Sequence, residues 1–256
     1  MAVTPPSRPS GGTDDPGVRA VVAEALELVF DGARVGLGSG RAASLFIAKL
    51  GARVREGLRV SGVPTSRASA AHARDAGIPL IELGDVPLDI TIDGADEVGP
   101  DIDLVKGWGG ALVRERIVAA ASSRQVIIVD QDKLVHRLGE RGRVPLEVIP
   151  LAERLVMREV EALGLVPTLR MQGDATRPFL SDNGNLIVDC APPEPLDGRW
   201  ARALERALLG IVGVVDTGLF LGTADRVLVG YPDGRVDVLL RSDPAAGAGG
   251  RGSASE

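Results

Sequence analysis

Apolar positions along this chain follow two periods in turn. Over residues 18–30, Val21, Val22, Ala25, Leu26 and Val29 recur at helical spacing, and residues 33–37 follow as a short apolar run of strand character. Gly38-Ser39-Gly40-Arg41 comes next, and the spacing over residues 42–50 predicts a second helix. The alternation continues. A strand is expected at residues 60–63, a helix at 66–76, strands at 79–83 and 88–92, a helix containing 117–121 and a strand at 125–130. Strands that alternate with helices predict an α/β architecture with a largely parallel, doubly wound sheet.

The style changes after about Arg143. Residues 145–149 read as a strand, 152–163 as an amphipathic helix, 168–171 and 185–189 as strands around a turn at Asp182-Asn183-Gly184, and 200–209 as a helix. This is the pattern of a smaller α+β unit. Strands at 226–229 and 236–240 flank Pro232-Asp233-Gly234, a hairpin signal, and are expected to rejoin the first sheet. The expected division is therefore residues 17–142 together with 218–241 as one domain, and 143–217 as a smaller α+β domain. Residues 1–16 and 242–256, rich in small and turn-forming types, are expected to be disordered tails.

Composition narrows the functional classes. At 256 residues and 45% hydrophobic content, the chain can bury one substantial core beside a smaller one. The net charge is −6 with dispersed basic residues, which argues against a nucleic-acid partner. No apolar run reaches the roughly 18 to 20 residues of a membrane span, and the N-terminus lacks a secretory pattern, so a soluble, cytoplasmic protein is expected. Cys190 is the single cysteine, which excludes an intrachain disulfide and a thiolate cluster. His72 and His136 stand far apart without ligand spacing, so no metal is expected. Catalysis would fall to carboxylates, lysine and backbone.

Such groups concentrate in one place. Thr91-Ile92-Asp93-Gly94-Ala95-Asp96-Glu97 ends a predicted strand, and Lys106-Gly107-Trp108-Gly109-Gly110-Ala111-Leu112-Val113-Arg114-Glu115 follows closely. In open α/β sheets ligands bind at the carboxyl ends of strands, and glycines there let the backbone approach them. The alternative for Asp93 and Asp96 is an Asx turn that only caps the strand. Gly38-Ser39-Gly40 between a strand and a helix is the layout of a phosphate-binding loop, or else a plain tight turn.

Eight blocks, in order over residues 18–240, resemble the ribose-5-phosphate isomerases of the A type. They are Gly36 to Gly40, Gly62 to Ser66, Asp93 to Glu97, Lys106 to Leu112, Arg114-Glu115, Asp130 to Leu134, Val144 to Pro150 and Ser181 to Asn185. The resemblance implies interconversion of D-ribose 5-phosphate and D-ribulose 5-phosphate in the pentose phosphate pathway without metal or organic cofactor. It also implies a Rossmann-like domain beside the smaller α+β domain, in a homodimer or homotetramer.

Moving a carbonyl from C1 to C2 of an aldose requires a base for the C2 proton and positive charge beside the resulting enediolate. By resemblance Glu115 is that base, although a glutamate between Arg114 and Arg116 read alone is a solvated helix residue. Lys106 would face the hydroxyls or oxyanion, while Asp93 and Asp96 would bind hydroxyls and assist ring opening. Gly94, Ala95, Gly107, Trp108 and Gly109 would line the substrate, and Lys133 would contact it. Gly38, Ser39, Gly40, Arg41 and Ala42 would meet the phosphate.

This chain departs from the family pattern at Arg41-Ala42, where many members have Ser-Thr, at Ser39, where Thr is common, at Gly17-Val18-Arg19, where some carry a lysine, and at Trp108, often glycine. Arg41 either replaces the absent hydroxyls or faces solvent. Two other functions fit a similar scaffold. An amino-sugar-phosphate isomerase/deaminase or phosphogluconolactonase would lean on a histidine, and both histidines lie outside the blocks. A sugar-phosphate sensor would need a DNA-binding module, for which residues 1–17 are too few.

Overall fold

The computed structural model describes residues 15–173 and 175–241. In chain order the elements are α1 (Pro16–Leu26), β1 (Arg34–Leu37), α2 (Arg41–Arg55), β2 (Ser61–Pro64), α3 (Arg67–Asp75), β3 (Ile90–Asp93), β4 (Glu97–Val98), β5 (Leu104–Val105), α4 (Leu112–Ala120) and β6 (Gln125–Asp130). They continue with β7 (Val144–Val148), α5 (Glu153–Ala162), β8 (Val166–Leu169), β9 (Leu186–Ala191), α6 (Gly198–Leu209), β10 (Val214–Thr217), β11 (Leu219–Phe220), β12 (Arg226–Gly230) and β13 (Val236–Leu240). None of the described helices is long and apolar enough to cross a membrane.

A six-stranded sheet ordered β13-β12-β6-β3-β1-β2 forms the centre, parallel except for the antiparallel edge strand β13. Strand β6 shows why its sequence is an unbroken apolar run. Val126 and Ile128 pack into the core under α1 and α2, while Ile127 and Val129 pack on the other face with Leu112 of α4 and Phe220. A strand buried on both faces has no polar side to alternate with. The chain goes from β1 through α2 to β2, then returns past β1 to β3, so strand order reverses between β1 and β3. That reversal opens a crevice at their carboxyl ends.

The smaller unit holds a four-stranded antiparallel sheet, β10-β7-β9-β8, under α5 and α6. Val156 and Val160 of α5 and Leu204 and Leu208 of α6 close its core over Leu146, Val148 and Val188. A third sheet, β11-β5-β4, joins the two layers.

Several boundaries differ from expectation. Helix α1 begins inside the expected N-terminal tail, because the Asp15 carboxylate caps it by accepting from Gly17 N–H at 2.8 Å and Pro16 occupies its first turn. The remainder of that tail and residues 242–256 lie outside the described residues. The same helix stops at Leu26 rather than residue 30; Val29 is buried from a following turn and only imitates the helical period. Helix α2 runs on to Arg55. Residues 79–83 do not form a strand. Pro79 has no N–H to donate, Leu80 alone makes a bridge to Gly62, and Ile81 and Leu83 are exposed. Strand β8 starts two residues earlier than expected, at an exposed Val166 on the sheet edge. The two-residue strands β4, β5 and β11 are too short to show a period, and β10 shows none, since its Val215 is exposed while its Asp216 is buried.

Candidate active site

Three charged side chains meet at the crevice between β1 and β3. Asp93 ends β3 and is fully buried; Lys106 follows β5 and is 2% exposed; Glu115 sits in the first turn of α4 and is 6% exposed. Lys106 Nζ lies 2.9 Å from Asp93 Oδ2 and 3.4 Å from Glu115 Oε2, and it also donates to the Gly94 carbonyl. The other Asp93 oxygen accepts from the backbone N–H groups of Ser39 at 2.9 Å and Gly94 at 2.8 Å. A buried charge needs such partners. Glu115 is held more loosely: its buried Oε2 meets the Lys106 ammonium at 3.4 Å, outside good hydrogen-bond geometry.

The electrostatics follow from this packing. Burial pushes the Glu115 carboxyl up to about 8, against the pull of Lys106 and with help from the charges of Asp93 and Asp96. Burial works against the Lys106 ammonium, yet Asp93 and Glu115 together hold its pKa at about 12. Asp96 is raised by burial, opposed by the Trp108 N–H at 2.8 Å and by the charges of Lys106, Lys133 and Arg143. Lys133 lies in a short 3-10 turn after β6.

Glycine is required where the elements approach most closely. A side chain at Gly38 would collide with Asp93. Gly107 turns with φ of 95°, the left-handed region, and aims the Lys106 side chain inward. Gly94 and Ala95 line the turn after Asp93 and are half-buried, and Gly109 lies exposed at the crest of the next loop.

The phosphate-loop residues stand at the start of α2. Gly40 caps that helix without a side-chain hydrogen bond, so its first-turn N–H groups, beginning at Arg41 and Ala42, have no capping oxygen. The Ser39 hydroxyl lies 2.8 Å from the Thr65 hydroxyl and donates to Ser66 Oγ at 2.7 Å. Arg41 reaches across to Asp130 Oδ2 at 2.6 Å. Thr65, Ser66 and Asp130 were not singled out individually, although each lies in a block that carried the family resemblance.

The smaller unit completes the site, which sequence reasoning missed. Arg170 pairs with Asp189 on β9 and donates to the carbonyls of Gly107 at 3.2 Å and Trp108 at 3.0 Å. Trp108, expected to line the substrate, lies under the Arg143 guanidinium at 4.4 Å, and its indole N–H donates to the Arg143 carbonyl at 3.4 Å. Nothing local in the sequence marks Arg170 or Arg143. Glu147 on β7 gathers Ser181, Asn183 and Asn185 on one oxygen at 2.8–2.9 Å, which joins two of the matching blocks. Among the described residues, no group of three or more His, Cys, Asp or Glu stands together as metal ligands would.

Comparison with known proteins places this arrangement. The family model described as ribose 5-phosphate isomerase A (phosphoriboisomerase A) matches residues 61–234. The ribose-5-phosphate isomerase A of Deinococcus radiodurans is 46% identical over 212 residues, 82% of this chain and 91% of the relative. That of Thermomicrobium roseum is 49% identical over 220 residues, covering 85% and 91%. Among solved structures, ribose 5-phosphate isomerase A from Methanocaldococcus jannaschii superposes with a TM-score of 0.83 at 40% identity, covering 90% of this chain and 100% of that one. A D-ribose-5-phosphate isomerase in complex with phospho-erythronic acid gives a TM-score of 0.83 at 36% identity, covering 88% and 97%. With the sheet order, the buried charges and these matches in agreement, the chain belongs to the ribose-5-phosphate isomerase A family.

Proposed function

We propose that this protein interconverts D-ribose 5-phosphate and D-ribulose 5-phosphate, with Glu115 as the base. The observation that carries the reading is the buried Glu115 carboxylate oxygen 3.4 Å from the Lys106 ammonium. In the aldose-to-ketose direction, Glu115 takes the proton from C2 as the C2–H bond breaks. The electron pair moves through the C1–C2 bond to the carbonyl oxygen, and the enediolate forms beside Lys106. Returning the proton to C1 while the O2 proton passes to O1 leaves the carbonyl at C2 and a hydroxyl at C1, which completes the ketose. No electrons leave the sugar. Asp93 and Asp96 bind hydroxyls and assist ring opening in this reading, and Gly107 and Trp108 shape the loop over the reacting carbons.

Incubating the protein with ribose 5-phosphate should yield ribulose 5-phosphate, and Glu115→Gln should lower turnover by about 10²- to 10⁴-fold. Turnover by that variant within a few-fold of the parent would sink the assignment.

The uncapped first turn of α2 supports phosphate binding there, with Ser39 just before it. Arg41, steadied by Asp130, is the natural partner for a phosphate that meets Ala42 rather than a hydroxyl. A hydrogen bond to a charged group contributes about 1.5 to 3 kcal/mol, so Arg41→Ala should raise KM by roughly 10- to 150-fold. An unchanged KM would leave Arg41 serving Asp130 alone. The reading extends to a homodimer or homotetramer, supported by Leu151 at 97% and Val212 at 79% exposure on the smaller unit.

A further inference from the structure

The two arginines beside Glu115 are anchored rather than solvated. Arg114 donates to Asn183 Oδ1 at 2.8 Å and to the Asp182 carbonyl at 3.1 Å. Arg116 is held more completely. Its Nε donates to Asp216 Oδ2 at 2.6 Å, and its Nη2 donates to the carbonyls of Thr217 and Leu219, both at 2.8 Å. Its Nη1 lies 3.7 Å from Glu205, and its guanidinium stacks on the Phe220 ring at 4.1 Å.

The segment that Arg116 grips is also the one that holds Lys106. Gly218, between the two gripped carbonyls, accepts the Lys106 backbone N–H at 2.9 Å and donates its own N–H to the Pro145 carbonyl at 2.7 Å. A side chain at Gly218 would collide with the Lys106 carbonyl and the Pro145 ring, so this segment has no room to slide. The Phe220 ring under Arg116 lies 5.6 Å from Lys106 Nζ. A short closed circuit results. It runs from Glu115 to its neighbour Arg116, across to residues 217–219, on to the Lys106 backbone, and out along the Lys106 side chain to Glu115 again.

We propose that Arg116 is a positioning residue for the isomerisation: by gripping the carbonyls on either side of Gly218 it fixes the separation of Glu115 and Lys106. This rests on Glu115 being the base. The planar fork matters as well as the charge, because one guanidinium spans a carboxylate and two carbonyls at once, which an ammonium on a flexible stem cannot do.

The test compares the full-length parent with Arg116→Lys and with Arg116→Met combined with Asp216→Asn and Glu205→Gln, the latter neutralising both carboxylates that face the guanidinium. Both proteins should fold and keep KM within about twofold, while kcat falls by about 10-fold, since a shift of about 1 Å in a reacting group can cost up to 100-fold. Adding Arg116→Lys to Glu115→Gln should cost little beyond Glu115→Gln alone, because both act through one carboxylate. A parent-like kcat in both Arg116 variants with only a lowered Tm would overturn the inference, and so would effects of Arg116→Lys and Glu115→Gln that multiply. Parent-like turnover by Glu115→Gln would overturn the base assignment instead, whatever Arg116 does.

Discussion

A carboxylate that removes a proton from carbon near neutral pH has to be basic and also deprotonated, and in the proposed mechanism the burial of Glu115 sets the balance between these demands. Its pKa near 8 means that the ligand-free protein holds that carboxyl protonated at lower pH, where it cannot accept another proton. The logarithm of kcat/KM should therefore rise with pH, with a slope of about one, and level off above about 8, as the free enzyme's base dictates. Lys106 keeps its charge until about 12 and adds no falling limb before that. A profile flat from roughly pH 5 to 9 would contradict Glu115 as the base. At this scale the sequence was ambiguous. Asp93, Lys106 and Glu115 drew attention through their glycine-rich surroundings and the family resemblance, but the flanking arginines alone marked Glu115 as a surface residue. Only the fold reveals that those arginines are turned toward two distant segments, Arg114 to Asp182 and Asn183 and Arg116 to residues 216–219.

Among the elements, the meeting of β1 with β3 decides the geometry of the site, because the Gly38 backbone presses directly on Asp93. Gly38→Ala should force the two apart, costing about 1 to 3 kcal/mol of stability and a larger share of kcat than of KM. Gly84→Ala, which meets open space, is the control. A Gly38→Ala enzyme with the parent's stability and kcat would show that the crevice yields there. The main strands and helices were legible, β6 as an unbroken apolar run buried on both faces and α2 through the helical spacing of its buried residues. The two-residue strands of the joining sheet were not, since pairing that short is dictated by the neighbours. Residues 79–83 failed in the opposite direction: an apolar composition suggested a strand that Pro79 and its exposed neighbours do not make.

For the whole molecule, the exposed Leu151 and Val212 set an expectation of assembly. Light scattering should give two or four times the 26.6 kDa chain mass, and Leu151→Asp with Val212→Asp should shift the population toward monomer. A parent protein that is monomeric at micromolar concentration would refute the oligomer. The two-layer division and the return of the last hairpin to the first sheet were visible in the order of periods. The contribution of the smaller unit to the site was not, because Arg170 meets its partners only after the layers dock. That docking has an electronic consequence. The peptide group joining Gly107 to Trp108 offers its oxygen to the Arg170 guanidinium and its hydrogen to the Asp96 carboxylate. One amide plane thus lies between opposite charges, its dipole aligned with both, and each bond polarises it in favour of the other. Arg170 and Asp96 never touch, yet they behave as the two poles of a single ion pair conducted through the main chain.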